Sequence, residues 1–310
     1  MMRAFATRGT WLAIGLICAP LPAAAHGSQA AWAGSYWTYD PWVVAPLYAC
    51  GTGYLLGTQR LWTRAGLFHG ISARQVVFFW TGWSALALAL ISPLHWWGER
   101  LFVAHMIEHC ILIAVAAPLI VAARPTAAFL WSVPKQLAVG VAAFMHWRPV
   151  ATLWQGLINP WNAAVLHGAV LWAWHMPLLY RLTLIDIAWH RLEHLSFVLT
   201  AMLFWWSLWR GGHHAAKVGA LFLTTLHSGL LGLLLTLSPR LWYPAQSILA
   251  DEWSLTALQD QQLAGLVMWV PMSCVYTAAA LFVASIWISR ASVASLHAPH
   301  GAHQSMAHPL

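Results

Sequence analysis

Long apolar runs, separated by short stretches that hold most of the charges, succeed one another along this chain. Roughly 20 apolar residues in a helix cross the ~30 Å hydrocarbon core of a bilayer. Seven runs approach that length: about 42–59, 75–92, 101–122, 162–180, 190–209, 217–238 and 262–289. They predict an all-α integral membrane protein, a bundle of about seven transmembrane helices. Between 123 and 160, Pro125, Pro134 and Pro149 bracket an apolar piece, Leu137 to Met145, that is too short to cross. That stretch reads as a helix near 134–150 lying in the inner interface.

The first 25 residues follow another pattern. Arg3 and Arg8 precede a short apolar stretch, Trp11 to Pro20, and then Ala23-Ala24-Ala25. This is the pattern of a secretory signal with cleavage expected after Ala25; an uncleaved anchor is the alternative. Residues 26–290 then form the bundle, and 291–310 a His-rich tail expected to be disordered. The composition, 60% hydrophobic and 7% charged with 23 Trp, lies far outside the range of soluble domains.

A formal net charge of +7 suggests a nucleic-acid partner only until the charges are located. With the mature N-terminus outside, the inner loops and tail hold Arg60, Arg64, Arg74, Arg124, Lys135, Arg148, Arg210, Lys217 and Arg290, and the outer side only Arg100, Arg181, Arg191 and Arg240. That is the positive-inside bias of a membrane protein in this orientation. All eight acidic residues fall toward the outer side, and Trp96, Trp97, Trp205, Trp206 and Trp209 sit where aromatic belts belong. Cys18 leaves with the signal; Cys50, Cys110 and Cys274, all inside predicted spans, make no disulfide framework.

Against this apolar background one five-residue pattern occurs twice, His105-Met106-Ile107-Glu108-His109 and His190-Arg191-Leu192-Glu193-His194. On a helix, positions i, i+3 and i+4 share a face, so each copy gathers two imidazoles and a carboxylate. Ionisable side chains inside a span cost about 2.5 to 3.5 kcal/mol each on insertion scales, which points to function. The spans place His105, His109, His190, His194 and His175 at one depth near the outer face, with His95 in the adjacent loop and His227 deeper, at the floor of such a cavity. Imidazoles converging from several helices read first as a metal site for Zn, Cu, Fe or Ni. Glu108 and Glu193 either ligate or orient the histidines. The alternative is that His and Glu pair with each other and glue the helices together. Met268 and Met272, with Cys110 and Cys274 nearby, offer Cu(I) the soft ligands it prefers, or simply fill the core. Signal cleavage would also leave His26 at the mature N-terminus, a chelating position for Cu(II).

In this setting the chain resembles the CtaG-like family of assembly factors for caa(3)-type cytochrome c oxidase. The matching phrases are Ser92-Pro93-Leu94, Leu101-Phe102, Ala104-His105-Met106 with His109, and Ala117-Pro118-Leu119. Trp174-His175-Met176-Pro177 with Tyr180, His190 with Glu193-His194 and Phe197, and Phe204-Trp205-Trp206 follow. Asp260-Gln261-Gln262-Leu263-Ala264-Gly265 and Met268-Trp269-Val270-Pro271 complete the set, in order, over roughly 85–290. The resemblance implies a multi-pass protein needed to mature a haem–copper oxidase, with copper delivery or insertion as its expected role; with the orientation read from the charges, this expects a bacterial inner-membrane protein with its metal site toward the periplasm. The expected partners are then the oxidase subunits, with other copper chaperones, while the composition and the located charges call for a lipid bilayer and no nucleic acid. Glu108 stands where similar proteins often carry Gln, which weakens a ligand role there and leaves Glu193 the stronger candidate of the two.

Four functions are therefore in competition. The first is a non-enzymatic metallochaperone holding copper, as Cu(I) or Cu(II), with zinc as the other metal, on His105, His109, His175, His190, His194 and Glu193. His-x-x-Glu-His is also a metallohydrolase pattern, two ligands and a general base. Histidines from two spans can instead hold a b-type haem. The last is a scaffold in which the histidines are dispensable.

Overall fold

The computed structural model describes residues 36–210 and 213–296; the expected signal peptide, His26 and the tail from 297 onward lie outside them. All regular structure among the described residues is helical. Helix α1 (Pro41–Ala65) is capped by the Asp40 carboxylate, and α2 (Ala73–Ile91) by a reciprocal Ser72–Gln75 box. Ser92 caps a single-turn-and-a-half helix, α3 (Pro93–Gly98). The next helix runs from Phe102 to Ala123 in three parts: α4 (Phe102–Cys110), a π-helical stretch over Ile111–Ala116, and α5 (Ala117–Ala123).

Where one helix near 134–150 was expected in the interface, the chain forms three short pieces: α6 (Thr126–Ser132), α7 (Lys135–His146) and α8 (Arg148–Leu157). Pro134 and Pro149 each restart the chain near a helix N-terminus, the place that tolerates a residue without an N–H. Neither α7 nor α8 buries a residue in the bundle.

The fourth expected span, 162–180, is broken. Helix α9 (Pro160–Trp174) stops at His175, and Pro177 opens a separate helix, α10 (Pro177–Ile185). Proline has no N–H to donate the i→i−4 bond of a continuing helix, so the chain turns there. Then follow α11 (Ile187–Arg210), α12 (His214–Leu237) and α13 (Ala257–Leu296). Among the described residues, four helices are long and apolar enough to cross a bilayer by themselves: Ala73–Ile91, Phe102–Ala123, His214–Leu237 and Ala257–Arg290. At 15 residues, α9 extends only about 22 Å at 1.5 Å per residue. Helix α11 is long enough but carries Arg191, Glu193 and Arg210. Apolar side chains such as Leu226, Leu230, Leu234 and Leu237 on one helix, and Leu281 and Phe282 on another, face outward, as lipid requires.

One core fills the space among α4, α5 and α9 to α13, with Phe102, Met106, Leu112, Phe197, Phe204 and Tyr276 in its interior. A smaller core joins α1, α2 and α6 through Tyr54, stacked on Phe79 at 3.6 Å between ring centroids. Helices α12 and α13 cross in close contact. A Cβ at Gly265 would lie 2.6 Å from the Gly232 carbonyl oxygen, so only glycine permits that approach.

Candidate metal centre

Three elements carry the repeated pattern and its neighbours. His105, Glu108 and His109 lie on α4, His190, Glu193 and His194 on α11, and His95 on α3. The faces of α4 and α11 that carry them point at each other. Ring centroids are 4.1 Å apart for His105–His109, 4.5 Å for His190–His194, 5.2 Å for His109–His194 and 5.6 Å for His105–His190. His95 completes the group, 5.4 Å from His190 and 5.7 Å from His194.

Within the group are two triads whose ring nitrogens lie within 4.8 Å of one another: His95, His190 and His194, and His105, His109 and His194. His194 belongs to both. Glu108 and Glu193 are fully buried between them. The Glu108 carboxylate accepts from His95 Nδ1 at 2.8 Å and faces His194 Nε2 at 3.6 Å. Glu193 faces His105 Nε2 at 3.8 Å, beyond hydrogen-bond reach. Burial opposes a charge on His95, but Glu108, with Glu99 and Asp40 farther off, raises its pKa above the ordinary imidazole value.

Hydrogen bonding is incomplete to an unusual degree. Both ring nitrogens of His105 and of His109, one each of His190 and His194, and both oxygens of Glu193 are buried with no hydrogen-bond partner among the described residues. Leaving a buried polar atom unmade costs about 1–3 kcal/mol. So many in one place fits a set of donor atoms that a cation would satisfy together.

Distant parts of the chain hold this geometry. The Asp260 carboxylate, fully buried on α13, accepts from the Phe102 and Val103 N–H groups at 2.8 and 2.9 Å and so caps α4. Gln261 accepts from the Trp242 N–H at 2.6 Å and donates to the Arg240 carbonyl, while Gln262 donates to the Ser238 carbonyl. Gln246 donates to the Gly98 carbonyl. Gly98 leaves room for the carboxylate, because a Cβ there would lie 2.8 Å from Glu108 Oε2 and push it aside. On α11, Arg191 reaches the α1 cap residue Asp40 at 2.7 Å.

The other sequence candidates fall in different places. His175, at the end of α9, donates from Nδ1 to the Leu171 carbonyl and takes the Tyr243 hydroxyl on its own carbonyl. That leaves its buried Nε2 without a partner. His175 lies in neither triad but shares a small cavity with His109, Met268 and Met272. His227 is not the floor of the cluster. It packs against Gly168 of α9, where a Cβ would lie 2.9 Å from its Nε2. Its neighbour there is His167, which sequence reasoning missed; that imidazole hydrogen-bonds Thr200 at 3.1 Å. The only signal for His167 was its place eight residues before His175 on the same helix.

These features define an all-helical membrane protein with a buried imidazole–carboxylate cluster at the junction of α3, α4 and α11. The family model of the cytochrome c oxidase caa3 assembly factor (Caa3_CtaG) matches residues 52–290, more than half of the chain. The chain belongs to that family. No curated protein and no solved structure gives a match.

Proposed function

We propose that this oxidase assembly factor works as a copper carrier. Copper enters from the outer, periplasmic face, is held by His105, His109, His190 and His194 with His95 and Glu193 beside them, and passes to an oxidase subunit docked alongside. On this reading the chain crosses seven times with its mature N-terminus outside, so that the cluster lies near that face; the distribution of Lys and Arg supports this orientation. The observation that carries the reading is the convergence of five imidazoles and two fully buried carboxylates with most of their donor atoms unpartnered. Histidine nitrogens suit copper and zinc alike, and Glu108, bonded to His95, fixes the ring rather than ligating.

Neither competing chemistry gains support. A general base needs a water and a substrate at hand, whereas both carboxylates are sealed from solvent. The cavity beside the cluster has room for about one water-sized guest, not a porphyrin. The test is the oxidase itself. Cells lacking this protein should assemble oxidase deficient in copper, and added copper should restore part of it; oxidase of normal copper content would overturn the reading.

A further inference from the structure

The cavity shared by His109 and His175 has a character of its own. Its other walls are Met106, Cys110, Met268 and Met272, with Leu171 and Ile113. Imidazoles and carboxylates dominate the cluster above, whereas sulfur dominates here. Met268 and Met272 are four residues apart on α13, hence on one face, and both are buried. His109 and His175 line the same cavity, and each has a buried ring nitrogen without a hydrogen-bond partner.

Two helix irregularities meet at this cavity. Pro271 lies inside α13 and has no N–H, so the Val267 carbonyl four residues earlier loses its ladder partner. The Cys110 thiol donates to that carbonyl at 3.7 Å. Directly after Cys110 the backbone widens into its π-helical stretch, and the Trp205 indole donates to the Ile113 carbonyl at 2.9 Å. Irregular backbone at membrane depth is tolerated where it lines a cavity, and π turns concentrate at functional sites.

We propose that this cavity is a Cu(I) site, with Met268, Met272, His109 and His175 as ligands, and that it receives copper from the histidine cluster through His109. The inference rests on the copper-carrier reading and deepens it. All four ligands are neutral, and thioethers select soft Cu(I) over zinc or Cu(II). A monovalent ion also costs less to bury than a divalent one. Zn(II) and Cu(II) are retained by the carboxylate-bearing cluster. His194 links the two triads and His109 links the inner triad to the sulfur-lined cavity, so adjacent stations share a ligand. Copper moves as Cu(I) throughout: a bond to His105 or His194 breaks as one to His175 or a methionine forms, with no change of oxidation state.

The experiment compares the full-length protein in nanodiscs with its Met268→Leu/Met272→Leu variant, a swap that nearly conserves volume. Cu(I) is titrated against a chromophoric Cu(I) chelator, Zn(II) against a zinc indicator, and the Cu(I) form is examined by X-ray absorption. Expected are sulfur scatterers on Cu(I) in the wild type, their loss in the variant with roughly 10-fold or more weaker Cu(I) binding, and unchanged Zn(II) binding. The unchanged zinc also reports an intact bundle. Cu(I) with nitrogen and oxygen scatterers alone, or a variant whose Cu(I) affinity matches wild type, overturns this inference and leaves the carrier reading standing. A wild type that binds neither metal overturns both.

Discussion

Asp260 accepts the Phe102 N–H at 2.8 Å across 158 residues of chain. One carboxylate at the start of α13 thus sets where α4 begins, and α4 carries His105 and His109. Asp260→Ala would leave two N–H groups at the α4 N-terminus without their acceptor. We expect it to destabilise the protein by roughly 2–4 kcal/mol. Asp260→Asn, which keeps one acceptor oxygen, should lose about half as much. Thermal unfolding in detergent reads both; equal stability of all three proteins would show that the cap is inert.

Glu108→Gln separates support from ligation. The amide retains an acceptor for His95 but not the charge, so metal affinity should fall by about 10–100-fold without vanishing, the usual cost of disturbing a ligand's partner. Competition titration with zinc measures it. Outright loss of binding would make Glu108 a ligand.

Close contact between α12 and α13 positions Met268 and Met272 relative to the rest of the bundle. Gly265→Ala puts a methyl group 2.6 Å from a backbone oxygen, so the helices must part. Overpacking of this kind costs about 1–3 kcal/mol. A lowered melting temperature is expected, and an unchanged one would mean that the crossing yields freely.

Orientation is tested by fusions. With an outer N-terminus and seven spans, alkaline phosphatase joined in the 239–256 loop should be active, and a fluorescent protein joined at the C-terminus should glow in the cytoplasm. Active phosphatase at the C-terminus would demand an even number of spans.

Much of this architecture is legible in the chain because lipid imposes length and apolarity on each helix. The repeated pattern on α4 and α11 shows its chemistry for a similar reason: helical spacing alone puts its three polar residues on one face. What eludes sequence reasoning is which face meets which neighbour. His227 looks like part of the cluster by depth, yet its helix turns it toward Gly168 and leaves it beside His167. The end of α9 at His175 was signalled by Pro177, but the apolar run continues to Tyr180 and hides the break. Asp260 was visible within a matching phrase, and its part in capping α4 emerges only from a contact between residues far apart in sequence. Cys110 likewise stood beside His109, while the carbonyl that takes its thiol is freed by a proline on another helix.

The most direct test is metal analysis of the purified full-length protein after copper loading, alongside His105→Ala and His194→Ala. The two residues sit on different helices, and their ring centroids are 5.9 Å apart. If α4 and α11 build one centre, the wild type retains copper through exhaustive dialysis and each single substitution releases most of it. Copper retained in full by both variants, or never held by the wild type, would contradict the account.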